Sequence, residues 1–287
     1  MKRCLIFVLA LLAAACAYPA DDHIEFATWN LEWFNSKSRG FPENTRGGPT
    51  YGPRDGDALA ATASIVKKHG LDFVGLQEIE SKSDLQCLLA CLPGFCGAVL
   101  DDTAQQHCAL LWDPEQCSVT IRPALSSLAL TSGLRQGLHA SVKAGQFDFD
   151  VMVVHLANAD GQVEQQVSLL QGWLRNGGPR DEDVVIAGDF NLTPREKPLR
   201  ALLADSLLCW CFAGLTELTP TRPPWPGGGQ YGKTIDHIFM TTRCYDNERW
   251  GDAWVPREDL AFGGRYRELV SDHLPVIQSF RTDSDDD

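Results

Sequence analysis

Short hydrophobic runs recur along the chain and are separated by polar or glycine-rich segments. Alternating or fully apolar runs predict strands at 24–29, 71–76, 108–112, 118–122, 138–143, 149–154, 184–187, 235–240 and 274–280. Apolar residues at helical spacing predict helices at 57–69, 162–174 and 197–208, and the stretch 84–96 is typical of a short helix and loop. Because strands and helices are mixed throughout, the pattern predicts an α/β fold in which helices cover the strands.

Two long segments follow neither pattern. Residues 35–57 are rich in Gly, Pro, Asn and Arg, and a loop of this length inside a compact domain is uncommon unless it is functional. Its cations and aromatic residues are Lys37, Arg39, Arg46, Arg54, Phe41 and Tyr51. Such a set suits a phosphate backbone, and a solvated flexible loop is the alternative. The Pro- and Gly-rich segment 219–230, which contains Trp225, leaves the same two interpretations open.

The N-terminus has the pattern of an export leader. Lys2 and Arg3 precede an apolar run at 4–15 that is too short to span a bilayer as a typical helix. Ala15-Cys16-Ala17 fits an ordinary signal peptidase site, whereas residues 13–16 resemble a lipobox that would attach the protein to a membrane through a lipid on Cys16. We therefore expect an exported protein (periplasmic, extracellular or an outer-membrane lipoprotein) with a leader at 1–17, one domain at 18–280 and an acidic disordered tail at 281–287.

Composition limits the functions that fit. The chain has 287 residues, of which 44% are hydrophobic, and this fits one domain with a sizeable core. The formal net charge is −13, and no run of Lys or Arg marks a nucleic-acid surface. This charge argues against tight non-specific binding to DNA. It does not exclude cleavage of DNA, because local cations or metal ions can offset the charge of a phosphate.

Eight cysteines remain once Cys4 and Cys16 of the leader are set aside, namely Cys87, Cys91, Cys96, Cys108, Cys117, Cys209, Cys211 and Cys244. An even number in an exported chain predicts that most of them are paired in disulfides, and the sequence leaves the pairing open. A zinc site is the alternative, but there is no paired C-x-x-C spacing and no His at finger spacing to support it.

Polar side chains cluster where the predicted strands begin or end, at Asn30, Gln77, Glu78, His155, Asp189, Asn191, Asp236, His237, Asp272 and His273. Strand ends project side chains from a rigid sheet into a common cleft. Carboxylates are hard oxygen ligands for Mg²⁺, Mn²⁺ or Ca²⁺, and Asp and His side chains can move protons and hydrogen bond to a phosphate. The set therefore predicts metal-assisted hydrolysis of a phosphoester.

Taken singly, these residues also have structural interpretations. His155 suits a core histidine whose hydrogen bonds are satisfied, and Asp189-x-Asn191 suits a turn or a helix cap. Their joint occurrence favours chemistry. His237 is the exception, because the alternation of the strand turns it away from Asp236 and predicts a structural role.

Six segments in sequence order resemble the blocks of the endonuclease/exonuclease/phosphatase superfamily, which includes deoxyribonuclease-I-like enzymes. They are TWNLEWF at 28–34, LQEI at 76–79, VVHLAN at 153–158, AGDFN at 187–191, IDHI at 235–238 and SDHLP at 271–275. Each block is short, but together the blocks extend from residue 28 to 275, so the resemblance covers almost the whole mature chain. The resemblance implies a four-layer α/β/β/α sandwich, in which two mixed sheets stack and the helices lie outside.

The resemblance also implies roles for the metal and water. Asn30, Glu78 and Asp272 would hold one divalent metal, Mg²⁺ first, with Mn²⁺ and Ca²⁺ as alternatives. Asp189 would orient or deprotonate the attacking water, and Asn191 would contact the scissile phosphate.

The remaining implied roles concern the substrate. His273, oriented by Asp236, would bind the phosphate or protonate the leaving group, and His155 would take the second polar position beside the phosphate. Asn158 and Arg135 are further candidates for contact with the substrate. At Arg135 the chain departs from the family pattern, because Gly137 stands where a Pro often follows.

We therefore expect an exported, metal-dependent phosphodiesterase, an endonuclease that hydrolyses DNA or RNA. A phosphatase or a phospholipid phosphodiesterase of the sphingomyelinase type is the alternative on the same fold. The sequence has no long hydrophobic hairpin for entering a membrane, which argues against a lipid substrate. A non-catalytic binding protein is a third hypothesis, and the complete polar set argues against it.

Overall fold

The structure is a computed structural model that describes residues 22–35, 55–224 and 232–285. Within these residues, twelve strands form two six-stranded sheets. In chain order the strands are β1 (His23–Phe34), β2 (Phe73–Ile79), β3 (Cys96–Val99), β4 (His107–Trp112), β5 (Ser118–Ile121), β6 (Leu138–Ala144), β7 (Phe147–His155), β8 (Val184–Asp189), β9 (Leu208–Trp210), β10 (Asp236–Thr241), β11 (Arg249–Trp254) and β12 (Val276–Arg281).

The two sheets have the same general plan. The first has the order β11-β12-β1-β2-β4-β3, and the second has the order β5-β6-β7-β8-β10-β9. Each has one parallel pair near its centre, β1 with β2 and β7 with β8, while the other neighbours run antiparallel. The helices are α1 (Gly56–Lys68), α2 (Lys82–Leu89), α3 (Gln162–Arg175), α4 (Lys197–Leu203), α5 (Thr242–Asn247), α6 (Glu258–Ala261) and α7 (Tyr266–Leu269). Two stacked mixed sheets with helices outside confirm the predicted architecture.

β7 illustrates how the sequence specifies the layers. Alternate residues point to opposite faces of a sheet. Phe149, Val151 and Val153 belong to the core between the sheets, where Phe149 stacks on Phe147 and Phe280. Met152 and Val154 belong to a second core on the other face, which α3 and α4 cover with Val163, Val167, Leu170, Leu199 and Leu202. Because both faces are covered, β7 is almost continuously buried, and this explains its strong hydrophobic pattern.

Several elements differ from the prediction. The helix predicted at 197–208 ends at Leu203, and Leu208 already begins β9, which pairs with β10. The polar edge strand β11 and the short helices α5 to α7 were not predicted, because their sequences have no sustained hydrophobic period. The chain beyond β12 also makes specific contacts: the N–H of Gln146 donates to the carbonyl of Thr282 at 2.8 Å, and that of Asp148 donates to Asp285 at 3.0 Å. The tail predicted to be disordered from 281 is therefore held against the β6–β7 turn as far as Asp285.

Among the described residues, the structure shows no disulfide between the cysteines, so the pairing that their even number predicts is not shown. Four of them, Cys108, Cys117, Cys211 and Cys244, are buried in the main core, where they pack as small apolar side chains. Burial raises the pKa of the thiols of Cys108, Cys117 and Cys211 to about 12. An even count of cysteines does not by itself bring two sulfur atoms into bonding geometry.

The leader at 1–17, the lipobox Cys16, most of the loop 35–57 and Trp225 lie outside the described residues. No helix among the described residues has the length and apolarity needed to cross a membrane.

Candidate active site

Three polar residues form a row across the second sheet. The register of β7 and β8 places His155 beside Asp189, and that of β8 and β10 places Asp236 on the other side of Asp189. By strand alternation the three side chains project to the face that looks toward the first sheet. Gly188 makes this row possible: its φ is +152°, and a Cβ at this position would lie 1.9 Å from the carbonyl oxygen of Val154.

Asn30 connects this row to the first sheet. It lies beside Gln77 in the parallel pair of β1 and β2, next to Glu78, whose φ of +66° turns the end of the strand. The side-chain amide of Asn30 donates to Glu78 Oε1 and to Asp189 Oδ2, at 3.0 Å in each case. One buried amide therefore joins carboxylates from both sheets.

Asp189 lies at the centre of the cluster. Its Oδ1 accepts the backbone N–H of Asn191 at 2.8 Å, and its Oδ2 lies 3.6 Å from His155 Nε2 and 3.9 Å from His273 Nε2. Burial and the nearby charge of Asp236 raise the pKa of Asp189 to about 7, although the charge of His273 acts in the opposite direction. A carboxylate that titrates near neutral pH can take a proton from water and release it again.

Asp236 orients His273. Its Oδ2 lies 2.8 Å from Nδ1 of the imidazole. Burial disfavours the charged ring, but the carboxylates of Asp236 and Asp272 outweigh it and raise the pKa of His273 to about 10. Ser271 fixes the backbone here, because its hydroxyl accepts the N–H of His273 at 3.0 Å and donates to the carbonyl of Asn30 at 2.6 Å. His273 is therefore an imidazolium at neutral pH, with its Nε2 facing Asp189.

His155 has the opposite protonation preference. Burial and the charges of Arg135 and His273 lower its pKa well below the ordinary value, so the ring is neutral. One terminal nitrogen of Arg135 lies 2.9 Å from each ring nitrogen of His155 and donates to Gln106 Oε1 at 2.9 Å. Arg135 thus lies in the cluster even though Gly137 departs from the family pattern.

Two arginines hold Asp272. Arg222 Nε donates to Asp272 Oδ2 at 2.9 Å, and Arg267 lies 3.6 Å from the same oxygen while donating to Glu32 at 2.9 Å. Burial would raise the pKa of Asp272, but the positive charges of His273, Arg222 and Arg267 lower it. Asp272 is therefore ionised at neutral pH.

The remaining predicted residues differ in whether they lie next to Asp189 or outside its hydrogen-bonded cluster. Asn191, with φ +53°, adjoins Asp189, and its amide donates to the carbonyl of Leu156 at 2.9 Å. Asn158 is exposed on the loop after β7, outside the hydrogen-bonded cluster. His237 is buried with Nε2 at 2.8 Å from the carbonyl of Leu192, which confirms the structural role that alternation predicts.

The cleft carries the donor chemistry of a hard divalent cation. Glu78, Asp189 and Asp272 offer carboxylate oxygens, which Mg²⁺, Mn²⁺ and Ca²⁺ prefer, while the amide nitrogen of Asn30 faces two of them and its oxygen accepts the N–H of Glu32 at 2.9 Å. Within the described part of this cluster, Asp189, Asp236 and His273 are the group whose ligand atoms all lie within 4.8 Å of one another. Because His273 holds a proton at neutral pH, its imidazole is a poorer ligand than the carboxylates.

Four residues of the cluster were not predicted: Glu32, Gln106, Arg222 and Arg267. Gln106 directly precedes β4, whose first residue, His107, pairs with Ile79 of β2, and its side-chain amide reaches back to Glu78. The register of β2 and β4 shifts between Leu76 and Ile79, so neither the chain pattern nor simple strand pairing predicts this contact. Arg222 and Arg267 lie in irregular segments that carry no periodic signal.

Solved structures share this fold. D. rerio TDP2 complexed with single strand DNA product is 17% identical, with a TM-score of 0.67 over 91% of this chain and 100% of that chain. Mannosyl-6-phosphatase of Bacteroides thetaiotaomicron is 17% identical, with a TM-score of 0.61 over 90% and 99% of the two chains. The human Nocturnin catalytic domain with bound sulfate is 16% identical, with a TM-score of 0.59 over 90% and 93%. At these identities the likeness concerns the fold alone, and no curated protein sequence matches the chain.

The match at the level of family is direct. A sequence profile described as the Endonuclease/Exonuclease/phosphatase family matches residues 27–273, a range that includes every residue of the cluster from Asn30 to His273. Members of this family hydrolyse phosphoesters and depend on a divalent metal. The chain therefore belongs to the endonuclease/exonuclease/phosphatase family.

Proposed function

We propose that the protein is an exported, divalent-metal-dependent phosphodiesterase that cleaves nucleic acid, and DNA in preference to RNA. The observation that carries the proposal is the environment of Asp189. This carboxylate is buried between the amide of Asn30 and the rings of His155 and His273, and its pKa is raised to about 7. Few structural carboxylates are placed where they can act as a base at neutral pH.

Asp189 orients the attacking water and accepts its proton. The N–H of Asn191 and the amide of Asn30 hold the two oxygens of Asp189 in fixed directions. Asn30, Glu78 and Asp272 would hold Mg²⁺ or Mn²⁺, which offsets the charge that develops on the phosphoryl oxygens. Asn191 donates one side-chain N–H to Leu156, and its second N–H would donate to a phosphate oxygen of the substrate.

His273 and Arg135 stabilise the other side of the reaction. The imidazolium of His273 donates from Nε2 to a non-bridging oxygen or to the departing oxygen, and Asp236 keeps the ring oriented and charged. Arg135 supplies a fixed positive charge, and the neutral ring of His155 packs against it and supplies a polar contact. These donors are positioned before substrate arrives, so little reorganisation is needed during the reaction.

The choice of nucleic acid rests on the cations around the carboxylates. Arg222 keeps 41% of its side chain exposed while it contacts the buried Asp272, which places a guanidinium at the edge of the cleft. A nucleic-acid strand has phosphates on both sides of the scissile one, and such a guanidinium can bind one of them. The arginines Arg39, Arg46 and Arg54 follow Asn30 in sequence and would add further contacts of this kind.

Substrate comparison tests this choice. We expect kcat/KM on plasmid DNA to exceed the values on RNA, sphingomyelin, inositol phosphates and sugar phosphates. Arg39, Arg46 and Arg54 changed together to Ala should lower the value on DNA and weaken its dependence on salt. A higher kcat/KM on a lipid or a phosphomonoester would show that the protein is a phospholipid phosphodiesterase or a phosphatase and not a nuclease.

Dependence on metal is tested by chelation. Excess EDTA should abolish hydrolysis, and added Mg²⁺ or Mn²⁺ should restore it, because the donor set is made of hard oxygen ligands. Full activity in EDTA would contradict the proposal.

Export is tested on the mature N-terminus by mass spectrometry. The leader sequence predicts removal of Met1, followed by a start at Tyr18 or by a lipid on Cys16. Retention of Met1 in the native host would contradict export.

A further inference from the structure

We propose that Gln106 is a positioning residue that keeps the guanidinium of Arg135 apart from the metal ligand Glu78 and thereby preserves the affinity of the site for its cation. The inference rests on the proposed function for the roles of Glu78 and Arg135. It concerns a residue that none of the family blocks in the sequence contains.

The carboxylate of Glu78 is held from two sides. Its Oε1 accepts the amide of Asn30 at 3.0 Å and faces the cleft. Its Oε2 accepts the backbone N–H of Trp33 at 2.8 Å and the side-chain amide of Gln106 at 2.5 Å. Both donors on Oε2 are neutral, so the orientation of the carboxylate is fixed while its charge remains available to a metal.

The other end of the Gln106 side chain faces a cation. Gln106 Oε1 accepts Arg135 at 2.9 Å, and the same nitrogen of Arg135 lies 2.9 Å from His155. The amide therefore stands between a positive and a negative side chain. Asp272 is already paired directly with Arg222 and Arg267, whereas the hydrogen-bond donors to Glu78 described above are neutral. A direct ion pair with Arg135 would offset the charge of this second carboxylate and draw Arg135 away from His155.

The position of Gln106 is itself well supported. Gln106 is buried with 8% exposure. On the same loop, Asp102 accepts the backbone N–H of Gln136 at 3.2 Å and one ring nitrogen of His107 lies 2.9 Å from Asp102. The loop before β4 is thus fastened to the segment that carries Arg135.

Metal titration separates this role from a general loss of structure. Mn²⁺ binding to the mature protein is measured by calorimetry and by electron paramagnetic resonance, without substrate. Gln106→Ala should raise the Kd for Mn²⁺ about tenfold, within the range known for residues that orient metal ligands. Gln105→Ala removes the same side chain from the exposed neighbouring position and should leave the Kd unchanged.

The decisive variant is the double one. Gln106→Ala with Arg135→Ala should bind Mn²⁺ more tightly than Gln106→Ala alone, because the competing cation is gone. If the double variant binds no more tightly than the single one, or if Gln106→Ala leaves the Kd within twofold of wild type, the separating role is overturned. Gln106→Asn, which keeps the amide but shortens it, replaces Gln106→Ala if thermal unfolding shows that Gln106→Ala is not folded, and the same outcomes decide.

The readout also distinguishes two failures. Loss of the Mn²⁺ effect with intact nuclease activity would reject the role of Gln106 only. Absence of phosphodiesterase activity in the wild type, with the predicted Mn²⁺ affinities observed, would reject the proposed function and leave the role of Gln106 standing.

Discussion

β7 has a buried ionisable residue toward each end, and the two ends differ in how their charges are satisfied. Near its start, Asp150 accepts hydrogen bonds from Ser141 at 2.5 Å and from the N–H of Arg180 at 2.6 Å, and lies 3.0 Å from His139 Nε2. At its end, His155 adjoins Asp189, which is buried beside the carboxylate of Asp236.

The pKa values follow this difference. Burial would raise the pKa of Asp150, but hydrogen bonds from His139, Ser141 and Arg180 outweigh it, and the pKa is lowered. Burial together with the charge of Asp236 raises the pKa of Asp189 to about 7. A buried carboxylate whose hydrogen bonds outweigh its burial stabilises the fold, whereas one buried beside a like charge becomes a base that is poised for chemistry.

The largest effect on activity should come from replacing Asp189 or His273 at the active-site end of the sheet. Asp189→Asn and His273→Ala should each lower kcat at least about 100-fold, because each removes a proton-transfer or charge-stabilising group. The melting temperature should fall little, since both side chains lie in a polar cleft and not in the hydrophobic core. Single-turnover rates and thermal unfolding measure the two quantities, and a near-wild-type rate would show that the role of that residue is misassigned.

Removing the partner of Asp150 should have the opposite effect, lowering stability while leaving kcat unchanged. His139→Ala should lower the free energy of unfolding by about 1–3 kcal/mol, since it removes a donor from a fully buried carboxylate. The kcat of the folded variant should match the wild type, because His139 packs against Trp173 on the α3 side of the second sheet, whereas Asp189 faces the first sheet. Urea denaturation and initial rates measure these quantities. A loss of activity without a loss of stability would show that His139 acts in catalysis and not in stabilising the fold.

Lowering the pH should show the contribution of Asp150 to stability. Because the pKa of Asp150 in the folded protein is lower than its ordinary value of 3.8, its contribution to stability is present above pH 3.8 and is lost as the pH falls through the folded-state pKa. Asp150→Asn cannot be ionised, so it should lose less stability than the wild type between about pH 5 and pH 3. If urea denaturation shows the same pH dependence for both proteins, Asp150 is not the source of the stability that is lost at low pH.

The smallest effect should come from Asn158. This residue is exposed and outside the hydrogen-bonded cluster, so Asn158→Ala should change kcat/KM by no more than about fivefold, the value of one hydrogen bond of about 1 kcal/mol. A change as large as that of Asp189→Asn would place Asn158 in the reactive set.

The sequence pattern predicted a mixed α/β fold and the polar strand ends His155, Asp189 and Asp236, because strands that are buried on both faces carry a strong hydrophobic signal. The two stacked sheets were implied only by the family resemblance, and the order of the three residues in a row depends on strand pairing. It did not predict Gln106 or Arg222, whose positions depend on which strands and loops become neighbours in space. The cysteines show the same limit. Cys108 follows the burial pattern of β4, and Cys211 is buried in the turn after β9. The number of cysteines in the chain carries no information about the distances between sulfur atoms.

The row across β7, β8 and β10 has a consequence for folding. Side chains alternate with a period of two, so a slip of one residue between β7 and β8 would turn either His155 or Asp189 toward α3 and α4 and away from Asn30. A molecule trapped in that register would keep most of its secondary structure and have no active site. Recovery of activity during refolding would therefore report strand registration directly, while circular dichroism would record only that strands had formed.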